Sequence, residues 1–368
     1  MPSDLEPHPE PGAPLDAIDT PALVLDHDKL LGNIRRMAEF FAERPTKLRP
    51  HAKTHKCVEI ARLQMEHGAC GITCAKLGEA EVLADGGIHD ILIANQIVGP
   101  LKVRRLMDLA RRCSVAVAVD SAVNIRELSQ AAVAAGVTLC CLVEVDIGMG
   151  RCGVPPGEPA LHLARLVADS PGLMFGGLQA YEGHVQVVVP FEERRRRARA
   201  DMQKALDTRA LIEGAGLPVP VVSGGGTGTY AITGVMRGVD EIQAGSYATM
   251  DANYRKVGAP FENALKVLAT VISRPSPEVA IIDAGLKTVS PEFGEPTVLV
   301  SGATYTEFSE EHGTLRLQGA ARQLSVGQKI ELIPAHGCTT INLHDRLFVV
   351  RDAALHEVWA VAGRGRSQ

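Results

Sequence analysis

Arg49-Pro50-His51-Ala52-Lys53-Thr54-His55-Lys56 is the stretch that decides the fold. It follows a helix-like segment, residues 28–44, and a short run with strand character, residues 47–49. A lysine set just beyond a short strand suits the mouth of a (β/α)8 barrel, where reactive groups sit in the loops that follow the strands. Seven further short apolar runs come after it, at residues 71–73, 90–94, 114–119, 138–144, 174–180, 219–223 and 241–243. Segments of helical length or periodicity alternate with them, at 58–67, 77–84, 101–110, 121–135, 159–168, 191–213 and 230–237. About eight strand–helix units over about 230 residues match the count and size of such a barrel, an α/β architecture. Polar residues fall where strands end. Lys53 follows the first strand, Asn95 the third, Asp120 the fourth, Asp146 and Arg151 the fifth, and Tyr181 the sixth. A glycine run follows the seventh and Gly245-Ser246 the eighth. A doubly wound sheet is the runner-up.

Three stretches are expected. Residues 1–24 form an N-terminal segment packing with a second domain, and its residues 1–18, rich in Pro, Glu and Asp, should be loosely held. Residues 25–260 form the barrel. Beyond it the texture changes to short strand candidates at 265–272, 279–283, 298–300, 314–318, 329–333, 346–351 and 354–362, so residues 261–368 read as a β domain.

Length and composition agree with two domains, since 368 residues exceed one ordinary core. With 46% hydrophobic and 22% charged residues, global disorder is excluded. A net charge of -5 offers no positive field to nucleic acid. The one basic run, Arg194 to Arg197 with Arg199, reads as a solvated helix face. Eight cysteines scattered along a core-rich chain do not make a secreted disulfide framework, and Cys140 and Cys141 read as small buried hydrophobes. No apolar run reaches about 18 residues and no apolar leader is present, so no membrane partner is expected and the cytoplasm is the expected compartment.

Lys53 can form an imine with an aldehyde once its amine is neutral. The positive neighbours His51, His55 and Lys56, together with partial burial, favour that form. Ser223-Gly224-Gly225-Gly226-Thr227-Gly228-Thr229 lets successive backbone N–H groups converge on an anion, with threonine hydroxyls as added donors. A helix starting near Tyr230 would add its N-terminus, and Gly245-Ser246-Tyr247 could close the cradle. Loops after the last two barrel strands are the usual phosphate site, and no Walker lysine follows these glycines. A lysine and an anion cradle on one barrel mouth read as a pyridoxal 5'-phosphate site. Tyr181 could stack near the imine. Arg151 could meet the cofactor hydroxyl or a substrate carboxylate, with an ion pair to Asp146 as the structural alternative. His184 and Gln186 are substrate-side candidates. His336 and Cys338, two apart, would share one face of an extended segment. Imidazole and thiolate suit zinc, less so manganese, and leave positions for water and substrate.

From Asp19-Thr20-Pro21 onward the chain resembles the fold-type III pyridoxal-phosphate enzymes of the D-threonine aldolase and eukaryotic-type D-serine dehydratase group. The matching pieces are Arg49-Pro50-His51-Ala52-Lys53, Glu144-Val145-Asp146-Ile147-Gly148, Gly150-Arg151-Cys152-Gly153, Gln179-Ala180-Tyr181 and Ser223 to Thr229. Further on come Gln243-Ala244-Gly245-Ser246-Tyr247, Asp283-Ala284-Gly285-Leu286-Lys287, Glu311-His312-Gly313 and His336 to Asp345. The resemblance implies an alanine-racemase-like barrel plus a β domain, a homodimer, Lys53 bonded to the cofactor, and a divalent metal on His336 and Cys338. His51, Arg151, Tyr181 and His184 join Lys53 in the expected catalytic set. The zinc-dependent dehydratases share the His-x-Cys pattern, whereas D-threonine aldolases can carry Asp where Cys338 stands.

The expected activity is retro-aldol cleavage of D-configured β-hydroxy amino acids, of the D-threonine or 3-hydroxy-D-aspartate type, to glycine and an aldehyde. The alternative is a D-serine or D-threo-3-hydroxyaspartate dehydratase that releases ammonia and an oxo acid. A racemase and a non-catalytic pyridoxal-phosphate carrier are the remaining readings.

Overall fold

The computed structural model describes residues 8–368. The chain opens with strand β1 (Ala22–Asp26) and helix α1 (His27–Ala42). The Asp26 carboxylate caps α1 by accepting from Lys29 N, and Leu30, Ile34, Met37 and Phe41 line its buried face at helical spacing. Each such burial contributes roughly 1.5–3 kcal/mol.

Eight strand–helix repeats follow. They are β2 (Lys47–Leu48), α2 (Val58–Glu66), β3 (Ile72–Cys74), α3 (Leu77–Asp85), β4 (Asp90–Gln96), α4 (Pro100–Ala110), β5 (Ser114–Val119) and α5 (Ala122–Ala135). Then come β6 (Leu139–Glu144), α6 (Glu158–Asp169), β7 (Leu173–Ala180), α7 (Phe191–Gly214), β8 (Val221–Gly224), α8 (Tyr230–Thr233), β9 (Glu241–Ile242) and α9 (Ala252–Lys256). The strands are parallel, in the order β2-β9-β8-β7-β6-β5-β4-β3. Bonds from Cys70 N to Leu48 O, Thr73 N to Pro50 O and Ala52 N to Thr73 O join the two ends. The barrel is thus closed, and the doubly wound alternative is set aside.

The second unit comprises β10 (Leu265–Ser276), β11 (Val279–Ile282), β12 (Thr297–Val298), β13 (Ala303–Phe308), β14 (Gly313–Leu317), β15 (Lys329–Ile333), the short helix α10 (Gly337–Ile341), β16 (Arg346–Arg351) and β17 (Ala354–Ala360). Its sheet runs β13-β14-β11-β10-β1-β16-β17, with β15 beside β10 and β12 beside β15. β1 is central to it, antiparallel to β10 and parallel to β16. The fold is therefore an α/β barrel of the expected kind with a separate C-terminal β-rich unit. No helix among the described residues is long and apolar enough to cross a membrane.

Three local expectations need correction. The loosely held segment lies partly outside the described residues, at 1–7. The described part is fastened: Ile18 is fully buried, and Gly12 N and Leu15 N bond to Leu355 O and Ala353 O. α8 is one turn, not the longer helix expected at 230–237, because Gly234 and the turns after it stop it. In the basic run, Arg195 and Arg196 are solvated and paired to Glu192 and Glu193. Arg194 is instead buried, and its guanidinium donates to Val188 O and Val257 O.

Candidate active site

At the C-terminal end of the barrel strands one cavity gathers His51, Lys53, Arg151, Tyr181, Gly225, Gly226, Thr227, Gly245 and Ser246. These come from the loops after β2, β6, β7, β8 and β9. Each strand ends at the mouth and hands its next residues to the site, so residues far apart in sequence converge.

Lys53 sits in the turn after β2, its backbone N–H donating to His51 Nδ1 at 3.3 Å. That bond makes Nδ1 the acceptor and puts the imidazole proton on Nε2. Burial, then the charges of Lys53, His55, Lys56 and Arg151, push His51 well below the usual histidine range. Burial also lowers the Lys53 amine, which Arg151 reinforces and Cys338 and Glu79 oppose. The Lys53 ammonium position lies 5.6 Å from the Tyr181 ring centroid, and the Arg151 guanidinium carbon 5.9 Å from it. Burial drives the Tyr181 phenol up, so it stays protonated. Arg151 does not pair with Asp146. It lies 4.0 Å from Glu144, while Asp146 accepts from Gly148 N and Gly150 N.

The glycine loop is shaped by close approach. A Cβ on Gly228 would collide with Gln186 O, and one on Gly245 would lie 2.5 Å from Thr54 Oγ1 and 2.6 Å from His51 O. Gly228 N donates to Gln186 Oε1 and Gln186 Nε2 to Thr229 Oγ1, both at 2.9 Å. Thr229 Oγ1 in turn donates to Glu182, and Tyr247 N donates to Thr227 Oγ1. Gly228, Thr229 and Tyr247 therefore brace the loop from behind, as does Gly224 at the end of β8, packed on Ala180 O. The backbone N–H groups of Thr227, Gly245 and Ser246 meet no acceptor among the described residues. This cradle fits an anion such as a phosphate ester, and a buried lysine whose amine is shifted toward its neutral form beside it fits the aldehyde of the same molecule. The one-turn α8 contributes little as a helix terminus.

Several cavity residues carried no assignment from sequence. Glu144, Gln96, Gln179, Gln243, Asn95 and Tyr254 also line the wall. Gln96 Nε2 donates to Glu144 Oε2 at 2.5 Å, and burial raises the Glu144 carboxyl. Glu144 ends an apolar strand, the signal that could have found it. Gln186, expected on the substrate side, instead holds the glycine loop. His184 does not line the cavity among the described residues; its ring nitrogen Nε2 faces Asp201 Oδ2 of α7 at 3.0 Å. It is drawn to the helix layer because its loop folds back over α7.

His336 and Cys338 do not lie on an extended segment. His336 is the N-cap of α10 and Cys338 lies in its first turn. The pair nevertheless comes together. His336 Nδ1 faces Asp251 Oδ2 at 3.0 Å, leaving Nε2 for another partner. Cys338 Sγ lies 3.4 Å from Thr54 Oγ1 and 3.9 Å from Ser246 Oγ. Burial disfavours charge on His336, but Asp251 and Cys338 overcome it and raise its pKa to about 10. Burial likewise pushes the Cys338 thiol up, and His336 reverses the direction to a net lowering. A carboxylate that orients the imidazole and a thiol whose ionisation His336 favours together fit a divalent cation. Among the described residues no three His, Cys, Asp or Glu side chains form a complete ligand set. Water and substrate would complete the shell, as in an open catalytic site. A second, open cleft shares Lys53 with the first and is lined also by Lys56, Leu286, Cys338, Asn342 and Leu343 among others.

Comparison with known proteins agrees with this geometry. The model of the alanine racemase N-terminal domain matches residues 25–253, and that of the "Putative serine dehydratase domain" matches residues 264–350. A D-threonine aldolase of Arthrobacter sp is 43% identical over 99% of this chain and 97% of its own length. A 3-hydroxy-D-aspartate aldolase of Paracoccus denitrificans is 38% identical over 97% of this chain and 95% of its own. The crystal structure of D-threonine aldolase from Filomicrobium marinum superposes with a TM-score of 0.97 at 41% identity, covering 99% of this chain and all of that one. Barrel, β unit and full-length likeness together mean that the chain belongs to the fold-type III pyridoxal-phosphate family of D-threonine aldolases and D-serine dehydratases, with an alanine-racemase-like N-terminal domain.

Proposed function

We propose that this chain is a lyase that cleaves D-configured β-hydroxy amino acids to glycine and an aldehyde. The observation that carries the reading is the position of Lys53, which lines both the cavity with the anion cradle and the cleft with Cys338. Thr227, Gly245 and Ser246 would hold the phosphate of pyridoxal 5'-phosphate, Lys53 its aldehyde, and His336 with Cys338 a zinc or manganese ion. When bound, the ring supplies an electron sink and the metal supplies Lewis acidity.

The protein's part is positioning and proton control. Burial shifts the Lys53 amine toward the neutral form, which is the form that adds to a carbonyl. His51, kept neutral, fixes the turn that aims it. Arg151 sets a fixed positive charge at the mouth, balanced by Glu144. Cleavage takes the proton from the β-hydroxyl, breaks the Cα–Cβ bond with its electrons passing to Cα, and returns a proton to Cα. His184 lies outside the cavity lining, with Nε2 on Asp201, and takes no part in this reading. Lys53 and Cys338 are the groups that share the cleft.

Dehydration to ammonia and an oxo acid is the second reading, favoured by Cys338 at the metal pair. Incubation with D-threonine and D-serine separates the two. Glycine with acetaldehyde supports the aldolase, and ammonia without glycine overturns it. A homodimer in the cytoplasm is part of the same proposal, supported by the family likeness and by eight free cysteines. Light scattering on the purified protein tests the dimer.

A further inference from the structure

We propose that Glu182 is held as an uncharged carboxylic acid beneath the anion cradle and is the positioning residue that keeps the cradle shaped for a phosphate ester. The inference rests on the cofactor reading above. Glu182 follows Tyr181 in the loop after β7 and is fully buried, behind the cavity wall rather than on it. Its Oε1 accepts from Thr229 Oγ1 at 2.6 Å. The same hydroxyl accepts from Gln186 Nε2 at 2.9 Å and from Gly226 N at 3.2 Å. Gly226 lines the cavity, so a single hydroxyl links Glu182 to the surface that would meet the anion.

The hydrogen bonds decide which oxygen carries the proton. Thr229 Oγ1 receives two N–H groups and spends its own hydrogen on Oε1, which is therefore the carbonyl oxygen. Oε2, shut off from solvent, meets no partner among the described residues. The charged groups of the neighbouring elements are engaged elsewhere. Arg151 lies by Glu144, and Arg194 of α7 donates to Val188 O and Val257 O. His184 Nε2 faces Asp201, which also holds Lys204, and Glu241 of β9 pairs with Arg49. Tyr181 is a protonated phenol, Thr233 of α8 offers a hydroxyl and Gly225 a backbone N–H. Burial pushes the Glu182 carboxyl up, against the bond from Thr229. An unmet O–H costs less than an unpaired buried anion. An ionised Glu182 would also repel the phosphate through a medium of low dielectric.

Infrared difference spectra of the wild type against Glu182→Gln, with isothermal titration of each apoprotein by pyridoxine 5'-phosphate, test this. The probe carries the cofactor's phosphate and no aldehyde, so the chemistry of Lys53 does not enter. At neutral pH the wild type is expected to show the carbonyl stretch of a protonated carboxylic acid, absent from Glu182→Gln. Glutamine is a neutral isostere, so that variant should bind the probe within about threefold of the wild type. Glu182→Ala and Thr229→Val should each bind it about tenfold more weakly, and Thr229→Val should keep the infrared band. Should Glu182→Ala not fold, Thr229→Val decides. A missing band, a Glu182→Gln affinity more than about tenfold from the wild type in either direction, or a folded Ala or Val variant that binds as tightly as the wild type would overturn the proposal. Tight binding by the wild type and by those variants leaves the cofactor reading standing and sinks this one. A wild type that binds no probe sinks the cofactor reading and this inference together.

Discussion

At the scale of single residues, two buried bases set the pH behaviour. Lys53 is lowered below the free lysine range by burial, so its neutral fraction should reach a plateau at lower pH than a free amine. Lys53→Ala should abolish the borohydride-trappable cofactor adduct and cut turnover by about a thousandfold or more, with the fold intact by circular dichroism. His55 is fully buried and held down to about 4 by burial. Its folded pKa lies below its unfolded one, so the unfolded chain binds the extra proton between about pH 6.5 and 4. Stability is therefore full above that window and falls as pH drops through it, by on the order of 3 kcal/mol from this group alone. Thermal melting at pH 7.5 and 4.5 should show the loss, and His55→Gln should flatten its slope. Lys53 could be read from the sequence because it stands just past a strand end. The use of Gln186 could not, because its partners Gly228 and Thr229 lie on another loop and only the closed barrel brings them within reach.

Among the elements, the parallel strands were the easiest to read, since strands buried on both faces leave unbroken apolar runs such as β5 and β6. Their bounds fell within a few residues of the expected ones. The edge strand β13 escaped because its residues are largely exposed, with Tyr305 alone buried, so it lacks an apolar face. α9 and α10 escaped because five-residue helices carry no periodicity. The expectation that His336 and Cys338 lie on an extended segment followed from that omission. The braced glycine loop behaves as one element and gives the third prediction. Gln186→Ala orphans Gly228 N and removes a donor to Thr229. It should cost about 1–3 kcal/mol of stability and weaken cofactor affinity several-fold, as read by absorbance titration of the apoprotein.

Across the whole molecule, the site depends on the contact between barrel and β unit. Asp251, the N-cap of α9, accepts from Gly337 N at 3.1 Å and faces His336 Nδ1, so a barrel-side carboxylate orients the β-unit histidine proposed to hold the metal. Asp251→Ala should weaken metal affinity by about 10–100-fold while the cofactor stays bound. Competition with a fluorescent chelator measures the first and the absorbance band the second. Cys338→Asp should favour manganese over zinc, because a carboxylate is the harder donor.

β1 has one more consequence. It faces β10 on one side, Ala22 opposite Leu268, and β16 on the other, Val24 beside Phe348. During synthesis this greasy ribbon leaves the ribosome ahead of both neighbours and must wait through the whole barrel for β10, and longer still for β16. The barrel can close in the meantime, since its strands are made in between. A nascent chain stalled before β10 would therefore display a finished barrel trailing an unmatched sticky thread, a natural target for a holdase chaperone.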